Sequence, residues 1–276
     1  MQNQISELEK IEIELLLEAI YRYYGYDFRN YALPFIQRRI WFRVRNEKLS
    51  TISALQEKVL HNPEVMERLF ADFSINVTEM FRDPSFFKSI RTKVIPLLRE
   101  NPSIRIWHVG CSTGEEVYSM AILLYEEGIY EKTQIYATDI NTHILEKAKQ
   151  GICSIDGMQL YTKNYFESGG ERAFSEYYKA VGNRVVFQSF LKKNIVFAEH
   201  SLVSDQSFNE FDLIICRNVL IYFNKNLQNK VHQLLYESLR LRGFLGLGKR
   251  EGIGFSSYEN FFEGFDSKEK LYRKWK

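Results

Sequence analysis

The stretch Ile104-Arg105-Ile106-Trp107-His108-Val109-Gly110-Cys111-Ser112-Thr113-Gly114-Glu115-Glu116 decides how this chain is read. An apolar run enters a glycine turn, and the turn opens an amphipathic segment that begins at Glu115. A second apolar run, Ile135-Tyr136-Ala137-Thr138, ends on Asp139. The distance from Gly114 to Asp139 holds one helix and a short return, which predicts one strand-helix-strand unit. Glycine lets the main chain turn sharply and lets a ligand approach it closely. A carboxylate at the tip of the neighbouring strand can accept hydrogen bonds from both hydroxyls of a ribose. The glycine spacing alone would suit any strand-to-helix turn; the acidic strand end is what points to a nucleotide-type pocket.

The phosphate fingerprint G-x-G-x-x-G is absent. Only Gly110 and Gly114 are present, and Glu115 and Glu116 follow them. Two acids at a helix N-terminus complement the helix dipole, but they would repel a pyrophosphate. This argues against NAD, FAD and ATP. A cofactor with a ribose, a positive centre and no phosphate suits the pattern, and S-adenosylmethionine fits.

Outward from this unit the pattern alternates. Strands are expected at 104–109, 134–138, 195–198, 212–216 and 243–248, and helices at 84–100, 115–126, 141–150 and 224–240. Such alternation predicts an α/β fold, a Rossmann-like and mostly parallel sheet with helices on both faces. Phe261 to Phe265 and Leu271 to Trp275, joined by Asp266-Ser267-Lys268-Glu269, predict an antiparallel hairpin at the sheet edge. Residues 152–194 break the alternation. They are aromatic and polar, with Ser168-Gly169-Gly170 near the centre, and are expected to form a small inserted subdomain. Residues 1–75 are expected to form a helical N-terminal domain, and 76–276 the cofactor-binding domain. Ile5, Leu8, Ile11, Leu15 and Leu16 recur at helical spacing. A second helix is expected over 33–48, with Arg38, Arg39, Arg43, Arg45 and Lys48 against the single acid Glu47. Further helices are expected to begin near Ser50-Thr51 and near Pro63, a good first-turn residue. The basic run is either a solvated surface or a docking face.

The bulk properties exclude several classes. Apolar residues make up 45% of the chain and charged ones 26%, as in ordinary globular proteins. A net charge of +2 does not make the whole molecule a polyanion binder. No apolar run approaches the roughly 20 residues that span a bilayer, and Met1 to Lys10 lacks the apolar core of a signal peptide. Cys111, Cys153 and Cys216 show neither metal-site spacing nor an even disulfide framework. The expectations are a cytoplasmic monomer with no metal and no membrane insertion.

Four segments in order carry a family resemblance. They are Asn76-Val77-Thr78-Glu79-Met80-Phe81-Arg82-Asp83, the turn from Trp107 to Ser119, Ala137-Thr138-Asp139-Ile140-Asn141, and Cys216-Arg217-Asn218-Val219-Leu220-Ile221-Tyr222-Phe223. Together they resemble the CheR family, chemotaxis methyltransferases that esterify glutamates on bacterial chemoreceptors. The resemblance covers nearly the whole chain and implies a class I methyltransferase sheet. It implies that Asn76, Thr78 and Arg82 reach the methionine end of S-adenosylmethionine or the reacting centre. Gly110 belongs to the turn, Glu116 would meet the amino acid portion, and Asp139 the ribose. Ser201 and Leu202 would flank the adenine, although the family usually has Asn where Ser201 stands. Arg217 and Asn218 match the strand-end pair beside the cofactor, and Tyr222 the tyrosine proposed at the transfer site. Departures are Met80 for the usual Phe, Val117 for the favoured Pro, and Leu241-Arg242-Gly243 for the usual Pro-Gly-Gly turn. Some members use the inserted segment to dock a receptor's C-terminal peptide; that docking pattern is not recognisable here.

The implied chemistry is consistent with these residue types. A glutamate side chain has an ordinary pKa of about 4.3 and is ionised at neutral pH, so the nucleophile needs no general base. The enzyme's work is then mainly proximity and orientation, worth about 7–11 kcal/mol. Arg82 can hold a carboxylate through a bidentate pair; the alternative is a structural ion pair with Asp83 or Glu79. Tyr222 can orient the attacking oxygen or the sulfonium methyl; the alternative is a core tyrosine. An acidic receptor helix gives Arg38, Arg39, Arg43 and Arg45 a partner, while the basic residues are not interleaved with aromatics as a nucleic-acid surface would require. The product would be S-adenosylhomocysteine. Two other functions stay open, a catalytically silent cofactor-sensing or scaffold protein and a methyltransferase for a non-receptor substrate.

Overall fold

A computed structural model describes residues 6–74, 78–254 and 256–276. The chain forms two compact units, one of Met1–Ile75 with Ile221–Lys230, the other of Asn76–Leu220 with Val231–Lys276.

The first unit is helical. Helix α1 (Glu7–Tyr24) starts where the Ser6 hydroxyl accepts from Glu9 N–H at 3.1 Å, and it stops at Gly25 in the left-handed region. Helix α2 (Leu33–Asn46) has proline in its first turn. Thr51 caps α3 (Ile52–His61), and Asn62 caps α4 (Pro63–Phe73). The core gathers Ile13, Leu16, Ile20, Ile36, Leu55 and Leu69. Leu8, Ile11 and Leu15 share the helical spacing but are 67%, 47% and 55% exposed. The first helix is apolar on two sides, and packing against α3 selects the side that carries Ile13, Leu16 and Ile20.

The second unit opens with helix α5 (Pro84–Ser89), which passes through a π-helical turn, Ile90–Val94, into α6 (Ile95–Leu98). The sequence pattern predicts one uninterrupted helix here. Pro96 has no N–H to give to an ordinary helical turn, and the wider turn precedes it, closed by Ile95 N–H on the Ile90 carbonyl. There follow β1 (Ile104–Val109), α7 (Glu115–Glu126), β2 (Thr133–Asp139), α8 (Thr142–Gln150), β3 (Ile152–Ser154), α9 (Met158–Glu167), β4 (Tyr178–Val181), β5 (Arg184–Phe187), β6 (Ile195–Glu199) and β7 (Phe211–Cys216). Helix α10 (Lys225–Ser238) leads into β8 (Leu239–Leu247), β9 (Phe262–Asp266) and β10 (Leu271–Lys274).

Seven strands lie in the order β6-β2-β1-β7-β8-β10-β9. The first five are parallel, and β10 and β9 add the expected antiparallel edge. All six residues of β7 are buried, as a strand covered on both faces must be. Strand β8 begins at Leu239, ahead of the expected 243, directly after α10. A second, three-stranded sheet, β3-β5-β4, occupies the segment expected as an insertion. Its buried Val185 and Phe187, with Tyr165 and Tyr177, join the same apolar cluster as the main sheet.

Candidate active site

Strand β1 lies between β2 and β7, so the chain's winding reverses there. In open α/β sheets ligands enter the crevice at the C-terminal ends of the strands flanking such a switch point. Gly110 follows β1, Asp139 ends β2, and Arg217 and Asn218 follow β7.

The turn after β1 has the geometry its glycines allow. Gly110 has φ +65°, and a Cβ there would lie 2.7 Å from Val219 Cγ2. Gly114 has φ +93° and begins α7. Ser112 adopts φ 52° between them. Its backbone N–H donates to Asp139 Oδ2 at 2.9 Å, and Asn141 N–H donates to Oδ1 at 3.0 Å. Burial raises the Asp139 carboxyl above its ordinary range despite these donors. On the far side of β2, His200 N–H donates to the Asp139 carbonyl at 3.2 Å. Ser201 and Leu202 are thereby placed next to the β2 tip. The Ser201 hydroxyl already accepts from Val203 and Ser204 N–H within its own turn.

The centre of the site is an ion cluster. Arg217, whose side chain is 1% exposed, reaches Glu116 Oε2 at 2.8 Å and Asp83 Oδ2 at 2.5 Å. It also donates to the Arg82 carbonyl at 3.2 Å, and its guanidinium lies 4.2 Å from the Phe86 ring centroid. The other oxygen of Glu116 accepts from His108 Nδ1 at 3.2 Å; a carboxylate only accepts, so Nδ1 carries the proton. Burial pushes the Glu116 carboxyl up, but the His108 hydrogen bond and the Arg217 charge outweigh it and hold it below the usual range. Burial raises neighbouring Glu115, whose Oε2 accepts from the Thr113 hydroxyl at 2.5 Å.

The segment carrying Arg82 is pinned to α7. Phe81 N–H donates to Ser119 Oγ at 2.8 Å, and Ser119 Oγ donates to the Glu115 carbonyl at 2.7 Å. Phe81 and Asp83 both have positive φ, 51° and 56°, so half-buried Arg82 sits between two left-handed residues. Thr78 is also half-buried, and Asn76 lies outside the described residues.

Tyr222 belongs to the other unit. Its ring centroid is 4.9 Å from that of Phe35, and its carbonyl accepts from Ala32 N–H at 2.8 Å. The basic run of α2 divides there. Arg38 and Arg45 are exposed and Arg39 is half-buried. Arg43 is a correction to the docking face: its side chain is 11% exposed, pairs with Asp72 at 2.7 Å and Glu47 at 3.4 Å, and donates to the Arg68 carbonyl. It is an internal ion pair, because α4 brings Asp72 to it.

Two contributors to the ion cluster escaped sequence reasoning. His108 had a visible signal, a lone polar ring in an apolar strand. Asp83 had none, since its partner Arg217 is distant in the chain. Among the described residues, no His, Cys, Asp and Glu side chains gather in a group of three or more that could hold a metal.

The donor set fits a cofactor with ribose hydroxyls and a cationic amino acid end. Carboxylates face the turn at Glu116 and Asp139, while Arg217 is matched by acids and forms no phosphate cradle. The buried Ser112 Oγ and Arg217 Nε have no hydrogen-bond partner among the described residues, so polar capacity remains on both sides of the crevice.

Fold and site suit a nucleotide-type cofactor without phosphate, and the match to a CheR methyltransferase model makes the chain an S-adenosylmethionine-dependent methyltransferase. The family model "CheR methyltransferase, SAM binding domain" matches residues 76–270, and "CheR methyltransferase, all-alpha domain" matches 11–74. The chain belongs to the CheR methyltransferase family. It is 53% identical over 264 residues to a proposed methyltransferase of Pseudomonas putida, Cher3, covering 96% of this chain and 97% of that one. It is 29% identical to the chemotaxis protein methyltransferase of Listeria monocytogenes, over 94% of this chain and 98% of the relative. It is 30% identical to that of Borreliella burgdorferi, over 89% of each.

Proposed function

We propose that this protein methylates the side-chain carboxylate of glutamates on the cytoplasmic helices of a chemoreceptor, giving glutamate methyl esters and S-adenosylhomocysteine. The observation that carries the reading is the Glu116–Arg217–Asp83 cluster at the switch point, with Asp139 on the next strand. When bound, S-adenosylmethionine supplies an electrophilic methyl group on a sulfonium. Glu116, oriented by His108 and Arg217, holds the cationic amino group. Asp139 accepts from the ribose hydroxyls. Gly110 allows the close approach, Ser201 and Leu202 flank the adenine, and Thr78, Arg217 and Asn218 line the methionine side. Asn76 is assigned there from the family motif alone.

The receptor glutamate is ionised at neutral pH, so no residue has to remove a proton. Arg82 positions that carboxylate without neutralising the attacking oxygen, because too strong a pair would blunt the nucleophile. Tyr222 orients the acceptor. Arg38, Arg39 and Arg45 attract the acidic helix and raise the encounter rate. The setting is the cytoplasm, with the protein acting as a monomer. No described helix is long and apolar enough to cross a membrane.

The test is direct. Methyl-labelled cofactor is incubated with the protein and receptor cytoplasmic fragments from its own organism. Base-labile label on glutamates is expected. Cofactor binding with no label on any fragment would overturn the assignment.

A further inference from the structure

Glu251 lies on the turn after β8 and is 6% exposed. Its Oε2 accepts two backbone N–H bonds, from Gly248 at 2.7 Å and from Asn218 at 2.8 Å. The donors follow two different strands, β8 and β7, so one carboxylate ties the two strand ends together. Asn218 is held at φ 62°, in the left-handed region, where a non-glycine residue costs about 1–2 kcal/mol, less for Asn. Gly248 leaves room for the clamp: a Cβ there would lie 2.6 Å from Glu251 Oε2 and 3.0 Å from Asn218 N. The same turn reaches the opposite wall through Lys249, which pairs with Asp83 at 2.9 Å.

We infer that Glu251 is a positioning residue for the cofactor site, acting through Asn218. It rests on the placing of Asn218 beside S-adenosylmethionine. The carboxylate accepts the part-buried Asn218 N–H while Asn218 holds its left-handed conformation, so it stabilises the binding-competent backbone. Without it, that conformation is a smaller fraction of the population, and apparent affinity falls by the same factor. A residue acting through Asn218 on the cofactor should leave the methyl-acceptor's KM unchanged when it is removed.

The experiment compares S-adenosylhomocysteine affinity by calorimetry in the full chain and in Glu251→Ala, Glu251→Gln, Asn218→Ala and the Glu251→Ala/Asn218→Ala pair, with folding checked by circular dichroism. Glu251→Ala is expected to weaken binding about tenfold. Glu251→Gln should rescue to within about threefold, because its amide oxygen can accept both bonds. In the Asn218→Ala background, Glu251→Ala should cost little more, as residues acting through one another are non-additive. If Glu251→Ala does not fold, Gly248→Ala replaces it, since its methyl displaces the carboxylate. A folded Glu251→Ala or Gly248→Ala with affinity within about twofold of the parent, while Asn218→Ala is impaired, overturns the positioning role. An Asn218→Ala variant that binds normally overturns the placing of Asn218 itself, and the inference with it.

Discussion

Replacing Arg217 with methionine tests the ion cluster most severely. The change keeps much of the apolar volume and removes the charge. It leaves Glu116 and Asp83 without their shared guanidinium, and breaking a buried pair from one side costs about 3–5 kcal/mol. Both carboxylates keep a second partner, His108 at 3.2 Å and Lys249 at 2.9 Å, and they are 17% and 23% exposed. The lower end, about 3 kcal/mol, is therefore expected. Loss of the hydrogen bond to the Arg82 carbonyl adds about 1 kcal/mol. For a unit of this size each kcal/mol lowers Tm by about 2–4 °C, so the melting transition should fall by roughly 8–16 °C. The assay is scanning calorimetry at pH 7 on the full chain. Arg217→Lys should fall between, since one ammonium cannot fork to two carboxylates. Adding Glu116→Gln to Arg217→Met should recover at least about 1 kcal/mol, because it removes a stranded charge. An Arg217→Met transition within about 2 °C of the parent, or strict additivity in the double variant, would refute the reasoning.

Four further outcomes follow from the same geometry. Glu116 has a depressed carboxyl pKa, so its stabilisation is full above the unfolded value of about 4.3 and is lost as pH falls below it; urea titrations of parent and Glu116→Gln from pH 7 downward should converge in that acid range. Asp139 is shifted the other way, so S-adenosylhomocysteine affinity should begin to fall on acidification while pH is still above the ordinary carboxylate range, and Asp139→Asn should bind at least about tenfold more weakly with a flat pH profile. Tyr222→Phe keeps the ring against Phe35 and should lower turnover while leaving cofactor affinity within about twofold, by rapid-quench and calorimetry. Arg43→Ala should destabilise the helical unit by about 3 kcal/mol, whereas Arg38→Ala and Arg45→Ala should change stability by less than about 0.5 kcal/mol and instead raise the KM for receptor fragments in a salt-dependent manner.

Local chemistry explains which features were legible. The expected strands at 104–109 and 212–216 appear with bounds within a residue, because a central parallel strand is a short, mostly apolar run, and the edge strand expected at 195–198 appears at Ile195–Glu199. The glycine turn and Asp139 were legible for a similar reason: backbone conformation at Gly110 and Gly114 depends on the residue itself. Positive φ at Phe81, Asp83, Ser112 and Asn218 was not, since nothing in those side chains demands it. Their neighbours impose it, through Ser119, Arg217, Asp139 and Glu251. Arg43 was misplaced for a different reason. A run of basic residues hides the helical period: on the wheel Arg43 lies about 140° from Arg38, on the side of buried Ile36 and Ile40, where α4 supplies Asp72.

From residue order alone came the alternating α/β pattern, the helical N-terminus, the edge hairpin, the acidic turn that disfavours phosphate, and the family motifs. Each rests on periodicity or on the intrinsic properties of neighbouring residues. Tertiary structure decided which side of α1 is core, which arginine of α2 is buried, and that the Ile221–Lys230 segment joins the helical unit. It also decided that Arg217 is shared by Glu116 and Asp83, with His108 behind one and Lys249 behind the other. Those groups are separated by up to 166 positions, the interval from Asp83 to Lys249. Charge pairing at 2.5–3.2 Å needs the folded sheet to bring its strand ends together. A sequence records the charges, but the dielectric around them and the distance between them belong to the fold.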